Sequence, residues 1–311
     1  MAAHRYWRLR ILTIAGATSY ACVNEFQMRE TVSGSDVTGS GTAIASSELG
    51  GNVAANAFDN NNTTYWESTS TAWVSDYREF WIGYDFGSGN DKNIEEIVVR
   101  STAFATEAPS QGVLEYSDDG STWYGKHRIK FGDFTATPEQ TVATPQQNTT
   151  DGRRYWRILI SASYRANFSN LSEIEFRATI GGANFAYGCR VRSISNQGGD
   201  GTQYRINDGD TATFWENTSS SGPWWVSFDL GPNMVDKCAQ VMLRGGLYND
   251  ENPQDFKIQY SDDNSTWVDS LSVTGEPVWS SGEVRTYSTT DSGSTGSSAP
   301  VGQARQLVIT N

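Results

Sequence analysis

Two short acidic turns carry the groups best suited to chemistry in this chain. Residues 208–215 are Asp-Gly-Asp-Thr-Ala-Thr-Phe-Trp, and residues 59–66 are Asp-Asn-Asn-Asn-Thr-Thr-Tyr-Trp. Each turn combines carboxylate or amide oxygens with hydroxyl groups and leads directly into two aromatic residues. Asp, Asn and Thr side chains in such a turn can hydrogen-bond the backbone of the turn itself. Two copies of the turn indicate two copies of one folding unit.

Two pairs of adjacent carboxylates raise the alternative of glycoside hydrolysis. Asp118 and Asp119 form one pair, and Asp262 and Asp263 form the other. A glycosidase needs two carboxyl groups that face each other across the scissile bond. Adjacent residues of a tight hairpin turn point apart, and such turns favour Asp and Asn for structural reasons. We therefore interpret both pairs as turn residues.

Other catalytic arrangements need residues that are scarce in this chain. A nucleophilic Ser or Cys needs a nearby base, yet the only histidines are His4 and His127, and neither has a counterpart in the second copy. The sequence also lacks a glycine-rich phosphate loop and a Cys/His cluster with metal-binding spacing. We expect the protein not to be an enzyme.

The composition favours strands and argues against two classes of partner. The 311 residues include 30 glycines and 12% aromatics, and the hydrophobic runs are short, which favours strands joined by turns. The formal net charge of -13 argues against nucleic acid and anionic membrane surfaces as partners. The three cysteines, Cys22, Cys189 and Cys238, predict buried thiols and not a disulfide framework.

The N-terminal residues are typical of a strand and not of a targeting segment. Polar and charged residues interrupt the apolar positions Leu9, Ile11 and Ile14, so we expect no signal peptide. No stretch of the sequence is long enough to span a bilayer as a helix, so we expect no membrane insertion.

The chain is an internal duplication. Six blocks of the first half recur in the same order in the second half, displaced by 149, 148 or 144 residues. A constant order with so small a drift indicates two copies of one fold. The first-half blocks are residues 5–8, 25–29, 66, 81–87, 97–100 and 116–123, and their counterparts are residues 154–157, 173–177, 215, 225–231, 241–244 and 260–267.

The duplication predicts two domains and a tail. The polar stretch 144–152 separates the copies, so we place the domains at residues 1–150 and 151–290, followed by a Ser/Gly-rich tail at 291–311. Within the copies, residues 6–11 and 81–86 alternate in the period of two that half-buried strands show. No amphipathic helix is evident.

Together the blocks resemble discoidin-like domains, also called coagulation factor 5/8 type C domains, of the galactose-binding-like family. The motifs are Asp-Gly-Asp-x-x-Thr-x-Trp, then Trp-x-x-(Tyr/Phe)-Asp-(Phe/Leu)-Gly, then a valine-rich strand, and then Tyr-Ser-Asp-Asp-Gly-Ser-Thr-Trp. The resemblance covers about residues 4–287. It implies an all-β fold of two tandem β-sandwich, or jelly-roll, domains.

One departure from the family concerns the order of the blocks. In the usual order, the strands that resemble Arg-Tyr-Trp-Arg and Glu-x-x-x-Arg close the domain, whereas here each copy opens with them. Either each copy is circularly permuted, or the N-terminal pair of strands completes the second domain. Both copies are complete in the permuted order, which favours permutation.

The resemblance also implies a structural calcium ion at each acidic turn. Calcium takes six to eight oxygen ligands in flexible geometry, and an acidic loop rich in carbonyl and hydroxyl groups supplies them. The alternative is a turn that hydrogen-bonds its own backbone. The second copy has two acidic loop residues, so we expect it to be the better site. The implied ligands are Glu173, Asp208, Asp210 and Thr213 in the second copy, and Glu25, Asp59, Asn61 and Thr64 in the first.

Ligand binding in the resembling family uses the loops at one end of the sandwich. An exposed aromatic ring beside polar groups can serve as a platform for a sugar. The alternative is that the tryptophans cap the core and the arginines pair with carboxylates. The copies share few loop aromatics, so we do not expect equivalent sugar sites in both. The candidates are Trp73, Tyr77, Arg78, Arg100 and Phe104 in the first copy, and Trp224, Arg244, Tyr248 and Asn249 in the second.

The resemblance implies a non-enzymatic structural or binding protein. The permuted order is similar to that of discoidin-like proteins of tailed bacteriophages, so we expect a virion component on the tail, its fibres or the capsid surface. Such a protein is made in the host cytoplasm, acts outside the cell and assembles with other virion proteins as an oligomer. It either contacts a host-surface glycan or serves as a joining and decorating piece of the particle. The alternative is a carbohydrate-binding region of a secreted bacterial enzyme or adhesin.

Overall fold

The computed structural model describes residues 2–16, 20–69, 80–146, 152–165, 167–187, 189–196, 203–218 and 221–289. The chain divides into two compact units. Unit 1 comprises residues 1–148 with residues 231–234, and unit 2 comprises residues 149–230 with residues 235–311. The described segments consist of strands, turns and short 3-10 helices, which confirms the all-β prediction.

Unit 1 is a β-sandwich built from antiparallel sheets. A five-stranded sheet has the order β4-β6-β1-β8-β9, a three-stranded sheet has the order β10-β7-β3, and β2 pairs with β5. Its 3-10 helices span Ala54–Phe58 and Ala105–Glu107. The strands are β1 (Tyr6–Ile14), β2 (Cys22–Val23), β3 (Glu25–Arg29), β4 (Thr42–Ala45), β5 (Trp66–Glu67), β6 (Phe80–Asp85), β7 (Glu96–Arg100), β8 (Pro109–Ser117), β9 (Tyr124–Lys130) and β10 (Glu139–Ala143).

Unit 2 repeats this architecture. Its five-stranded sheet has the order β13-β15-β11-β17-β18, and its four-stranded sheet has the order β14-β12-β16-β19. Its 3-10 helices include Gln203–Asn207 and Asn249–Glu251. The strands are β11 (Tyr155–Ser163), β12 (Asn170–Arg177), β13 (Arg190–Ser193), β14 (Trp215–Glu216), β15 (Trp224–Asp229), β16 (Gln240–Gly245), β17 (Pro253–Ser261), β18 (Val268–Val273) and β19 (Val284–Ser288).

The alternation predicted from sequence sets the faces of these strands. In β1 the residues from Trp7 to Ile11 are alternately buried and half-buried, so the apolar face packs inward and the Arg side chains point outward. Trp7 and its counterpart Trp156 are both fully buried. The three cysteines are free and buried, as predicted.

The first strand of each unit pairs with strands that follow it in the same copy. In unit 1, β1 lies between β6 and β8, with Leu9 opposite Ile82 and Leu114. In unit 2, β11 lies between β15 and β17 in the same register, with Ile158 opposite Val226 and Ile258. Each unit therefore takes its central strand from the start of its own repeat.

No helix among the described residues has the length and hydrophobicity needed to cross a membrane.

Candidate functional site

The acidic turns keep the same backbone conformation in both units. Asp59 Oδ1 accepts the N–H of Asn61 at 2.8 Å, and Asp208 Oδ1 accepts the N–H of Asp210 at 2.9 Å. The residue between them has a left-handed backbone in each unit, with φ of 59° at Asn60 and 76° at Gly209. Asn and Gly are the residues that adopt this conformation most readily. The two turns therefore differ in sequence without differing in local geometry.

A buried glutamate from a strand earlier in the same repeat meets each turn. Glu25 of β3 lies beside Asp59, and Glu173 of β12 lies beside Asp208, whose neighbour Gly209 donates its N–H to Glu173 Oε1 at 2.9 Å. Burial, reinforced by the adjacent Asp, raises the pKa of Glu25 to about 7 and that of Glu173 to about 9. Burial also raises the pKa of Asp208. Each unit thus holds a buried Glu carboxyl group in contact with the Asp of its turn, which is exposed at Asp59 and half-buried at Asp208.

Several oxygens of each turn converge on one threonine hydroxyl group. Thr64 Oγ1 lies 3.0 and 2.8 Å from the two carboxylate oxygens of Asp59 and 2.7 Å from the carbonyl oxygen of Asn61. Thr213 Oγ1 lies 3.1, 3.0 and 3.0 Å from the matching oxygens of Asp208 and Asp210. Backbone N–H groups bond two of these three acceptors in each turn, namely the Asp Oδ1 and the carbonyl oxygen, so the hydroxyl hydrogen is left for the Asp Oδ2.

One oxygen of this cluster lacks any hydrogen-bond partner. Glu25 is 5% exposed, and its buried Oε1 accepts no hydrogen bond. An orphaned carboxylate oxygen beside a second carboxylate, with carbonyl and hydroxyl oxygens close by, is a donor set that fits an oxygen-liganded cation such as calcium. Across the described ranges, no group of three or more His, Cys, Asp or Glu side chains converges, so carbonyl and hydroxyl oxygens would have to complete the coordination.

The side chains at the third position of the turn do not account for a difference between the units. Asp210 Oδ1 accepts the N–H of Ala212 at 2.9 Å, and Asn61 Oδ1 accepts the N–H of Thr63 at 3.1 Å. Both side chains therefore brace the turn backbone, and both residues direct their carbonyl oxygens at the Thr hydroxyl group. The self-bonded turn proposed as the alternative is therefore present in each unit.

Exposed aromatic rings lie next to both turns. Phe104 is 42% exposed and meets Tyr65 edge-to-face, with ring centroids 5.5 Å apart. Tyr248 is 43% exposed and meets Phe214 edge-to-face, with ring centroids 6.3 Å apart. Tyr65 and Phe214 are the residues that follow the acidic turns, and Phe104 and Tyr248 are related by the repeat. We call Tyr65 with Phe104, and Phe214 with Tyr248, the aromatic pairs.

In unit 1 one buried asparagine joins the acidic turn to the loop that carries Phe104. Asn24 Nδ2 donates to the carbonyl oxygens of Asn62 at 3.2 Å and Thr64 at 3.0 Å. Its Oδ1 accepts the N–H groups of Thr102 at 2.7 Å and Ala103 at 3.1 Å. The position of the aromatic loop is therefore coupled to the conformation of the acidic turn.

In unit 2 different asparagines hold the corresponding loop. Asn252 Oδ1 accepts the N–H of Gly246 at 2.8 Å, and its Nδ2 donates to the carbonyl oxygen of Tyr248 at 3.1 Å. Asn170 Nδ2 donates to the buried carboxylate of Glu251 at 2.9 Å. Tyr248 therefore lies on a loop whose backbone is held by hydrogen bonds from asparagines of the same unit.

The remaining candidates from the sequence have several environments. Trp224 is 1% exposed at the start of β15, so its ring belongs to the core and offers no face to a sugar in this conformation. Arg100 and Arg244 occupy equivalent ends of β7 and β16, each with a buried Nε that has no partner, and Arg244 also donates to the carbonyl oxygen of Gly282 at 2.9 Å. Asn249 is exposed beside Tyr248. Trp73, Tyr77 and Arg78 lie outside the described residues.

Sequence reasoning did not identify Tyr65 and Phe214 as members of the aromatic pairs. Each is half-buried and immediately precedes a fully buried tryptophan, Trp66 or Trp215, at which a short strand begins. Their ring contacts join residues from separate loops, which no local sequence pattern reveals. The structure has an equivalent aromatic pair in both copies, whereas we expected few shared loop aromatics.

The paired carboxylates serve the hairpin turns. Asp119 Oδ1 accepts the N–H groups of Ser121 and Thr122 at 2.7 and 2.6 Å, and Asp263 Oδ1 accepts the equivalent pair at 2.8 and 2.7 Å. These bonds hold the pKa of both carboxyl groups well below the usual range. Asp118 instead accepts a hydrogen bond from His4 Nδ1 at 2.8 Å, and Asp262 pairs with Arg153 at 3.3 Å. In each pair, one carboxylate bonds the backbone of its own turn and the other bonds a side chain from the first residues of the same unit.

Comparison with protein-family models matches the F5/8 type C domain over residues 42–174 and 190–296. The two matched stretches together cover more than half of the chain. Searches among curated proteins and among solved structures found no match.

Proposed function

Because the chain belongs to the F5/8 type C domain family, whose members are generally non-catalytic modules that bind carbohydrates or other ligands, we propose that it binds glycans through the aromatic pairs. The observation that carries this proposal is the presence, in each unit, of a ring about two-fifths exposed on a loop fixed by hydrogen bonds. A rigid exposed ring binds a sugar face with little loss of conformational entropy.

The test is glycan-array binding by the full chain and by variants of the exposed rings. We expect the wild-type chain to bind a defined set of glycans and the Phe104→Ala/Tyr248→Ala double variant to lose most of that binding. Ile180→Ala is the matched control, because Ile180 is 72% exposed and lies on another surface loop. Binding that persists in the double variant, or that falls equally in the control, would contradict the assignment of the aromatic pairs.

We further propose that a calcium ion stabilises each acidic turn. The unit 1 ligands would be Glu25, Asp59, Thr64 and the carbonyl oxygen of Asn61. In unit 2 they would be Glu173, Asp208, Thr213 and the carbonyl oxygen of Asp210. The ion would supply positive charge to paired carboxylates that otherwise repel each other. It would thereby fix the loop that leads to each aromatic pair. The support is the contact between a buried Glu carboxyl group and the turn Asp in each unit, together with the unbonded Oε1 of Glu25 in unit 1.

We also propose that each unit is a circular permutant of the family fold. The support is the strand pairing, in which β1 and β11 each join the sheet of their own repeat. The first family match, residues 42–174, begins at β4 and ends within β12, so in the family order the equivalents of β11 and β12 close the domain. In this chain those two strands pair with unit 2 strands that follow them.

Hydrogen exchange with mass spectrometry tests the permutation. Trp7→Ala removes a fully buried ring and should accelerate exchange in β6 and β8 while leaving β15 and β17 unchanged. Trp156→Ala should have the converse effect. Acceleration in unit 2 on substitution of Trp7 would favour the alternative in which the N-terminal strands complete the second domain.

For the biological setting, we propose a phage virion component on the tail, its fibres or the capsid surface. The support is the order of strands, which is similar to that of permuted discoidin-like phage proteins. Mass spectrometry and imaging of purified particles test this, with an ordered oligomer in contact with other virion proteins as the expected result. Detection of the chain only within a secreted bacterial enzyme or adhesin would favour the alternative carbohydrate-binding role.

A further inference from the structure

Unit 2 carries a polar cleft on the outer face of its five-stranded sheet. In the edge strand β13, Val191 points inward and is 2% exposed, so Arg190 and Arg192 on either side of it point outward. The cleft has a volume of about 190 Å³ and is open to solvent. Its lining consists of Tyr155, Arg190, Arg192, Ser227, Asp229 and Asn264.

Strand register explains why a cleft forms at this position. Arg190 and Tyr155 lie on opposite sides of Asp229 across neighbouring strands, and Arg192 lies opposite Ser227. Ser227 has the smallest side chain of this group, so the sheet surface is depressed between larger neighbours. Tyr155, Ser227 and Asn264 contribute hydroxyl and amide groups to the walls.

The charge of the cleft is opposite to that of the whole chain. Asp229 is held by Arg154, whose Nε and second guanidinium nitrogen donate to it at 2.7 and 3.0 Å. Asp263 lies close enough to Tyr155 to raise its pKa, but its carboxylate accepts N–H groups of its own turn. The lining itself thus contains two arginines, Arg190 and Arg192, and one carboxylate, Asp229, in a protein of net charge -13. Clefts of one sign concentrate ligands of the other.

The same position in unit 1 provides an internal comparison. Thr42 and Ile44 of β4 replace the two arginines, opposite Asp85 and Gly83 respectively. Gly120 takes the place of Asn264 in the hairpin turn. The two units share only the tyrosine, which is Tyr6 in unit 1, and the Arg–Asp pair. In unit 1 this pair is Arg5, which donates to Asp85 at 2.7 Å. The features that would recognise an anion therefore belong to unit 2, although both units have the same backbone arrangement.

From this geometry we propose that the unit 2 cleft binds the carboxylate of an acidic saccharide. Arginine is suited to carboxylates because its planar guanidinium group can donate two parallel hydrogen bonds. The hydroxyl and amide groups of Ser227 and Asn264 are placed to bond sugar hydroxyls. A volume of about 190 Å³ leaves room for a carboxylate group and part of the sugar that carries it. The carboxylate assignment stands on the cleft alone, and the saccharide assignment rests on the proposed glycan-binding function.

Saccharide titrations followed by ligand-detected NMR test the cleft. The probes are glucuronate, glucose as the neutral analogue and inorganic sulfate as the free anion. We expect glucuronate to bind the full wild-type chain in the millimolar range, more tightly than either other probe, and to weaken as salt increases. Arg190→Gln and Arg192→Gln should each weaken glucuronate binding by about tenfold or more.

A matched control separates the cleft from general charge effects. Lys257→Gln changes the net charge by the same amount on the same sheet, where Lys257 pairs with Asp269 at 2.6 Å, and it should leave glucuronate affinity unchanged. Thermal melts of all variants check that each is folded. Unchanged affinity in the Arg190/Arg192 double variant, or no glucuronate binding to the wild type, would overturn the proposal. Sulfate or glucose binding as tight as that of glucuronate would overturn the acidic-saccharide assignment.

The test of the cleft gives results that differ from those of the test of glycan binding through the aromatic pairs. Tyr248→Ala should abolish array binding by unit 2 and leave glucuronate binding at the cleft intact. The arginine substitutions should do the reverse. Loss of glucuronate binding on substitution of Tyr248 would place the acidic sugar at the loop end and contradict the cleft assignment.

Discussion

Replacement of Glu173 by glutamine is expected to stabilise metal-free unit 2 and to abolish its response to calcium. Glu173 is 4% exposed and lies against Asp208, so in the absence of a cation it must take up a proton in the folded state at neutral pH. Glutamine is neutral at every pH and keeps the oxygen that accepts the Gly209 N–H. It can also donate to Asp208 through its amide group.

The magnitude follows from the pKa of Glu173, which rises from 4.5 to about 9 on folding. A carboxyl group with a raised folded pKa costs nothing below its unfolded pKa, and stability is lost progressively as pH rises from there through the folded pKa. At pH 7, well above the unfolded pKa and below the folded one, Glu173 therefore lowers the free energy of unfolding by about 3 kcal/mol. That corresponds to a rise of roughly 6–12 °C in melting temperature for a domain of this size when glutamine removes the penalty.

Thermal melting with chelator and with calcium is the assay. In chelator, Glu173→Gln should melt above the wild type at pH 7, and the difference should shrink at pH 5. With calcium at a hundred times its dissociation constant, the wild type should gain about 2.7 kcal/mol and the variant almost none. Glu175→Gln is the control, because Glu175 lies on the same strand but pairs with Arg177 at 2.6 Å. A variant that is less stable in chelator, or that responds to calcium like the wild type, refutes this reasoning.

Three other predictions concern the turns and loops. Asp119→Asn and Asp263→Asn should make the free energy of unfolding less dependent on pH in acid. The lowered pKa of each carboxyl group stabilises the fold above about pH 4, and this stabilisation is lost as pH falls further. Urea denaturation from pH 5 downward measures the change. Gly209→Ala should cost about 1–2 kcal/mol, since φ is 76° and the added Cβ would lie 2.4 Å from the Tyr187 hydroxyl oxygen; chemical denaturation measures the loss. Asn24→Ala should cost about 1–3 kcal/mol and accelerate hydrogen exchange in residues 101–104, because four backbone groups lose a buried partner.

The strand architecture was predictable because alternation along a half-buried strand reports its faces directly. Residues 6–11 show this pattern, and β1 has the corresponding burial. The Asp-rich hairpin turns were predictable for a similar reason, since Asp119 and Asp263 bond the two N–H groups that follow them. In both cases the pattern that carries the prediction spans only a few residues of sequence.

The exposure of the aromatic candidates could not be predicted with the same success. Trp224 and Trp225 are adjacent and chemically identical, and only the pairing of β15 with β11 determines that Trp224 faces the core. Tyr248 is exposed because Asn252 and its neighbours fix the loop outward, a set of contacts that no local pattern reveals. Long-range register therefore decides which aromatic residue is available to a ligand.

The sequence difference between the two acidic turns does not have the structural effect that we expected from it. The sequence suggested that Asp210 in place of Asn61 gives unit 2 an extra ligand. Both side chains instead bond the turn backbone. The difference that remains is the greater rise in the pKa of Glu173 relative to Glu25, which depends on burial and on the neighbouring carboxylate. The neighbouring carboxylate belongs to the turn in both units, but the burial of the glutamate is not encoded in the turn itself.

The most direct test of the central claim is a structure of the full chain bound to the glycan selected most strongly on the array. Glycan binding through the aromatic pairs predicts a sugar ring packed against Tyr248 or Phe104, with polar contacts from the adjoining loop. A sugar bound away from both aromatic pairs, or a chain that binds no glycan on the array, would contradict the claim.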